Sequence, residues 1–587
     1  MDVFRKILKW ALVILIVLSL ICTIIGFFLS RQYRPILAKT LKKAVLSSSK
    51  GLYHLEFEDL DIRPLLGKVS LLNVKLIADT NVYKQLQREE NAPQTIYTIK
   101  IEFIQIRGIN QWNYFQNKTL AIENIIIHRP HVKILKNQLV VQKKNHIKKD
   151  LYDIISPIFK ETVVSSIKAT EGSVFYELIN TKSQKSYLKA NNFSLLVDGL
   201  RLNKPSEEDT SRLFYSDNIR FIVNHYQLRL PDSLNTIKFD QLQLSTQDSS
   251  ILVTNFNLQP RFEQYLYAKA AGKQTDRLDL KIDSSNVRGI HFRTLLFDEK
   301  LIIEQADFSG LQLYAFRDKR VPMKNEKAKV LVHELLKNTT FPILVQYATI
   351  RNSRVDYEEF APKGISPGTI FFSSLNAQFK NITNNESAEQ KNMLVNVSSY
   401  FMGVGELKTE FIFPISKSDH TFRVTGSLGR MDLRVVNKAV ESLAMVKLKT
   451  GRVNHLDFDI KANNIRSSIK MKFLYSNLVV TVLDPETGEK KGLASTLLNA
   501  LILDSDNPLT GKAPRKANAT FARNQQKQIF NFLWKTLYQG IKRSIGIDQE
   551  DENKLKKLSD KYAKKSRQKN KTERKREQKL KRAQYDL

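Results

Sequence analysis

The chain has 587 residues, enough for several ordinary domains or one very long one, and its 42% apolar content excludes a disordered polymer. Lysine and arginine number 93 against 59 acidic residues, a formal net charge of +34 that asks for an anionic neighbour: nucleic acid, a membrane surface or a cell-wall polymer. The single cysteine, Cys22, lies inside an apolar run, which excludes a disulfide framework, a thiolate metal site and a thiol nucleophile.

Residues 1–9 form a short leader carrying Arg5, Lys6 and Lys9. From Trp10 to Leu29 twenty residues pass without a charge. At about 1.5 Å per residue such a helix crosses a hydrocarbon core of roughly 30 Å. No small-residue cleavage site follows it, and Ile21 before Cys22 makes a poor lipoprotein site. The segment 10–29 is therefore predicted to stay as a signal anchor, with the N-terminus in the cytoplasm and the bulk exported. Arg31, Arg34, Lys39, Lys42 and Lys43 follow the span and dilute the charge asymmetry that sets orientation. Residues 30–50 are predicted as a connecting helix, and no later apolar run is long enough to span.

Beyond residue 50 the texture is β. In "HLDFDIKA", Leu456, Phe458, Ile460 and Ala462 alternate with His455, Asp457, Asp459 and Lys461, and "IKMKFLY" sets Ile469, Met471, Phe473 and Tyr475 opposite Lys470 and Lys472. This period of two belongs to strands with one apolar and one wet face. Helices are predicted only near 153–160, 326–337 and 435–445, and close to the C-terminus.

The chain also repeats itself. "IRGI" at 106–109 returns as "VRGI" at 287–290, an offset of 181 residues that also lays "VFYE" (174–177) on "VDYE" (355–358). At an offset of 182, Phe57, Leu60, Val69, Leu71 and Leu76 fall on Phe239, Leu242, Ile251, Val253 and Leu258. The apolar pattern is shared and the polar letters are not, which points to a duplicated structural unit rather than a duplicated active site. Residues 51–203 and 233–384 are read as two β repeats, and 390–500 as a further β region. Such repeats either close into separate dry sandwiches or continue one long, twisted antiparallel sheet whose apolar face needs a cover.

Near the C-terminus, within 521–547, Phe530, Leu533, Trp534, Leu537, Tyr538, Ile541 and Ile545 recur at spacings of three and four, with Lys535, Lys542 and Arg543 interspersed. An amphipathic helix follows, lying at a membrane interface or capping the open end of the sheet. Residues 551–587 hold fifteen Lys and Arg against six acids and read as a solvated basic tail.

Enzyme signatures fail in turn. In "HRPH" an ideal strand would point His128 and His131 to opposite faces; "HEL" at His333 lacks a second histidine; "GVGELK" and "TGK" lack the rest of their loops. "LDSDN" at 503–507 reads as a weak calcium ligand set or a turn. No cofactor, metal or catalytic residue is expected. The absent recognition motifs and the export anchor disfavour nucleic acid.

The anchor followed by "FEDLDIRPLLGKVSLLNVKLIADTNVY", the stretch "FRVTGSLGRMDLRVVNKAVESLAMVKLKTGRVNHLDFDIKANN" and the terminal "FNFLWKTLYQGIKRSIG" resemble the AsmA family of envelope proteins, particularly large Bacteroidetes members. The resemblance covers most of residues 1–547 and rests on β-pattern motifs without chemistry; Ser467 and Ser468 stand where the family pattern has a glycine. It implies a single-pass inner-membrane protein whose periplasmic body is a long β-groove related to bridge-like lipid transfer proteins. Phospholipids would be its ligands, and the outer membrane or a protein in it a partner at the C-terminal end. On that reading the acyl-chain contacts are Val69, Leu71, Val132, Ile134, Ile251, Val253, Leu456, Phe458, Ile460, Met471 and Phe473. The membrane-interface set is Phe530, Trp534, Leu537, Tyr538, Ile541, Lys542 and Arg543. The alternative is an envelope scaffold or outer-membrane protein assembly factor that conducts no lipid.

Overall fold

The computed structural model describes residues 39, 42–43, 45–47, 49–63, 66–110, 116–140, 152, 159–181, 183–205, 209–323, 328–362, 366–386, 391–416, 418, 420–444, 446–483, 504–547 and 550–551. The anchor at 10–29 and nearly all of the basic tail lie outside them. Among the described residues no helix is long and apolar enough to cross a membrane.

Twenty-two strands join in one sheet, not in separate sandwiches. The first section holds β1 (Tyr53–Glu56), β2 (Asp59–Arg63), β3 (Lys68–Ala78), β4 (Thr95–Arg107), β5 (Thr119–Asn137), β6 (Glu161–Ile179), β7 (Lys185–Leu202) and β8 (Asn218–Arg229). The middle section holds β9 (Asn235–Ser245), β10 (Ser250–Pro260), β11 (Asp276–Ile290), β12 (Leu301–Ser309), β13 (Gln312–Asp318), β14 (Ile343–Phe360), β15 (Gly368–Thr383) and β16 (Asn392–Phe401). The last holds β17 (Gly405–Pro414), β18 (Phe422–Leu428), β19 (Met431–Asp432), β20 (Val446–Ala462), β21 (Arg466–Val482) and β22 (Lys516–Ala522). Among the described residues six bounded α-helices accompany them: α1 (Thr80–Arg88), α2 (Gln264–Ala270), α3 (Phe292–Phe297), α4 (Val332–Lys337), α5 (Asn437–Ala444) and α6 (Ile529–Ser544). The alternation in sequence anticipates the strands, whereas α1, α2 and α3 are too short to stand out. Local chemistry still starts α1, where Asp79 Oδ1 accepts the N–H groups of Asn81 and Val82 at 2.7 and 3.1 Å.

The sheet is mixed, which corrects the expectation of antiparallel pairing throughout. β5 runs parallel to β6, and β12 and β13 run parallel to β14. Parallel neighbours need a long crossover. The chain supplies one between Asn137 and Glu161 and another between Asp318 and Ile343, which are the two places where sequence predicts helices near 153–160 and 326–337.

The first two sections share an order of elements. β3 and β10 occupy 68–78 and 250–260, and β6 and β14 occupy 161–179 and 343–360. Left-handed backbone recurs at the same offsets: Asn73 and Asn255 (φ 50° each), Arg129 and Gly310 (49° and 67°), Glu171 and Asn352 (53° and 52°). The doubled "RGI" belongs to this set. Gly108 (φ 66°) lies under the Glu123 side chain and Gly289 (φ 63°) under Glu304, each 2.5 Å from where a Cβ would stand. Both the left-handed turn and the overlying carboxylate side chain require glycine there.

Candidate functional site

One residue per strand, each in register with the next, makes an unbroken apolar row across eighteen strands. In the first section it runs through Leu71, Ile104, Ile127, Ala169, Leu195 and Phe221. In the middle it continues through Leu244, Ile251, Val287, Ala306, Ala348, Phe379 and Val395. It ends through Phe411, Val424, Ile460, Ile469 and Ala519. Register partners point to the same side, so these residues share one face, and at about 4.8 Å per strand the row is roughly 80 Å long. A second row on that face, Leu258, Leu280, Leu313, Val355, Phe372 and Phe401, crosses the middle section toward the other strand ends.

Protein covers this face unequally. In the first section Val69, Leu71, Val132 and Ile134 are all under 4% exposed, within one cluster that also takes in Phe159 from the crossover, Phe214 and Tyr215 from the β7–β8 connection, and Phe292 and Leu296 of α3. In the last section Leu456, Phe458, Ile460, Met471 and Phe473 are likewise buried, in a cluster with Phe532 of α6. Only Ile251 and Val253 of the predicted acyl-chain contacts are half-buried. They belong to the middle section, where Phe256, Leu280, Ile282, Val287, Leu313, Val355, Phe372 and Phe379 are also half-buried and Leu278 is exposed. The second crossover, whose Val321 and Pro322 carbonyls accept hydrogen bonds from Gln274 of its own section, then reaches across to another. Leu331 and His333 pack into the last section, with the His333 ring 4.8 Å from that of Phe413 and 5.1 Å from that of Phe422.

The C-terminal helix divides the predicted membrane-interface set. Phe530, Trp534 and Tyr538 form an exposed stripe at spacings of four. Leu537 and Ile541 turn toward the sheet with Phe532, against the expectation that they face a membrane. Lys542 lies over the Tyr538 ring at 5.0 Å, and Arg543 donates to the Ile547 carbonyl at 2.8 Å. The buried stripe is Phe532, Thr536, Gly540 and Ser544. Thr536 Oγ1 and Ser467 Oγ share a 2.6 Å hydrogen bond, and a Cβ at Gly540 would stand 3.0 Å from the Met471 methyl. Small polar residues let the helix sit close to the strands, and hydrophobic spacing alone misses them. Ser467 is thus a hydrogen-bonding partner of that helix, as is Arg515, which donates to the Ser544 carbonyl at 3.3 Å.

α6 also bends the reading of the sheet. It packs on β21 and β22, yet the Phe530 ring lies 5.5 Å from that of Tyr357 on β14. Six strand spacings separate β14 from β21, about 29 Å if flat, and a helix is only ~10–12 Å wide. The sheet therefore curls around α6, and the apolar face is concave there.

The concave face ends in charge. One rung past Leu278 and Ala315, Asp276 pairs with Arg317, and beside them Lys319 pairs with Glu359. Tyr357 donates to Glu359 at 2.7 Å, and burial together with that carboxylate pushes its phenol well above the usual tyrosine range.

The other polar motifs have structural partners. Left-handed backbone at Arg129 (φ 49°) puts His128 and His131 on the same outer side of β5, not on opposite faces; they contact Thr170 and Ser173. His333 is a core residue, and burial pushes its imidazole down to about 4 against the pull of Glu334. In the 503–507 loop Asp504 pairs with Arg515, and Asp506 accepts the Asn477 N–H at 3.0 Å. Among the described residues no group of three acidic, histidine or cysteine side chains is placed to hold a metal ion. A scan against protein-family models finds no match for the chain, and a comparison with curated proteins finds no relative of it.

Proposed function

We propose that the protein is a membrane-tethered lipid carrier, in which acyl chains lie along the middle section of the apolar face while the sheet shields them from water. The observation that carries this reading is the eighteen-strand apolar row, continuous through a section whose large side chains stay half-buried. A soluble body leaves so long an apolar strip open only when something apolar occupies it. An acyl chain is flexible, linear and without hydrogen-bonding groups, so it fits a face made of Ile, Val, Leu and Phe. The reading places the anchor at 10–29 in an inner membrane and the body in the periplasm, as the resemblance to the AsmA family implies, with phospholipid movement between the two envelope membranes as the role. With no energy-coupling motif in the chain, direction falls to a partner or a gradient.

The test is lipid content. Full-length protein extracted in detergent, exchanged exhaustively and analysed by mass spectrometry carries stoichiometric phospholipid on this reading. Protein that emerges with no more lipid than a single-span control of unrelated fold would remove it.

A further inference from the structure

The charged end of the concave face has more cations than it needs. Asp276 and Arg317 neutralise each other, as do Glu359 and Lys319. Across from them the chain before α6 and its second turn carry Lys527 and Lys535 on either side of Phe530, whose ring lies 5.5 Å from that of Tyr357 on β14, and the charges of Lys319 and Glu359 act on both lysines. Among the described residues neither lysine has a carboxylate partner. Lys527 Nζ lies 3.1 Å from the Met323 sulfur, and Lys535 Nζ lies 5.7 Å from the centre of the Tyr538 ring. Lys527 and Lys535 therefore add positive charge at the rim beyond the two neutralised pairs, and Lys329 and Lys542 add to it further.

The geometry points to a binding site for the phosphate of a glycerophospholipid, held between Lys527 and Lys535 of the α6 region and the Lys319–Glu359 rung, with the acyl chains running from there onto Val355, Leu313 and Leu280. This deepens the carrier reading and rests on it. Three features fit that occupant. Along β14 the face changes from Val355 to Tyr357 to Glu359, apolar to amphipathic to charged, as a lipid does from chain to headgroup. The Phe530 ring against Tyr357 makes an aromatic wall at the depth where the glycerol would sit. Desolvation pushes both lysines below the usual ammonium range, with the positive charge of Lys319 adding to it; an anion between them would relieve that cost.

The experiment compares dioleoylphosphatidylglycerol with dioleoylglycerol, which has the same chains and no phosphate, for retention by detergent-purified, delipidated full-length protein. The wild type is expected to retain the phospholipid preferentially, by about tenfold or more for two charge-assisted contacts. Lys527→Gln with Lys535→Gln abolishes that preference while leaving dioleoylglycerol retention in place, and Lys527→Arg with Lys535→Arg keeps it. The outward-facing pair Lys470→Gln and Lys472→Gln is the charge-matched control. Undiminished preference in the double Gln variant overturns the headgroup site and leaves the carrier reading intact, as does loss of preference equal to that of the control pair. Retention of neither lipid by the wild type overturns both. Displacement of the phospholipid by millimolar inorganic phosphate, with the chains released, would show a free-anion site and also overturn the proposal.

Discussion

The first and middle sections carry the same pattern of elements and bury it differently. Val69, Leu71, Val132 and Ile106 are 1, 2, 3 and 0% exposed, while Ile251, Val253, Leu313 and Val287, at the matching places, are only half-buried. The side chains are alike, so residue type is not the cause. The difference lies in where the connections land. The first crossover returns Phe159 to its own section, whereas the second sends Leu331 and His333 onto Phe413 and Phe422 of the last section. The destination of one loop thus separates a buried face from a half-buried one.

Matched substitutions probe that contrast. Leu71→Asp places a charge in a sealed cluster and is expected to destabilise the fold by about 3–5 kcal/mol, enough to deplete the protein. Val253→Asp, its counterpart, should cost about 1 kcal/mol or less because water reaches the site, while sharply reducing bound lipid. Urea denaturation of both variants measures the gap, and equal losses would mean the middle face is as dry as the first.

Acid should act on the displaced crossover. The folded-state pKa of His333, about 4, lies below that of an ordinary histidine, so the unfolded chain binds the extra proton. Stability then falls as pH drops from about 6.5 toward 4, by on the order of 3 kcal/mol. Because the lost proton affinity belongs to one ring packed against Phe413 and Phe422, His333→Phe should flatten that slope, as read from denaturation midpoints across the pH range.

The cap over the last section depends on close approach. Gly540→Val must displace Met471 or lift α6, and is expected to cost about 1–3 kcal/mol and to raise the accessibility of Met471 to oxidation. The smallest effect sharpens the equivalence of the two repeats. Gly108→Ala and Gly289→Ala impose the same left-handed strain under the same kind of carboxylate, so each should lose about 1–2 kcal/mol despite their different surroundings. Thermal melting of the pair checks it, and a large inequality would mean that burial and not backbone sets their cost.

The strands and the repeat were readable because alternation and spacing are local or periodic properties. The sheet's parallel pairs were not, since they depend on how a crossover turns back, and neither were the kinks at Arg129 and Glu171, where a charged pair holds left-handed backbone that sequence assigns to no residue type. Of the acyl-contact candidates, the alternation placed all on the one apolar face that runs through every section. It could not tell which section another part of the chain would cover. α6 shows the same limit: its apolar spacing is plain, but the division into a sheet-facing stripe through Gly540 and an outward stripe through Trp534 follows from shape.

The most direct measurement is photo-crosslinking at two adjacent positions of β15 in living cells. Phe379 lies on the apolar row and is half-buried; Gln378, the next residue, points to the outer face and is exposed. A photoreactive amino acid at Phe379 is expected to capture phospholipid, and the same group at Gln378 to capture none. Lipid at neither position, in protein that is folded and abundant, would contradict a lipid-bearing face.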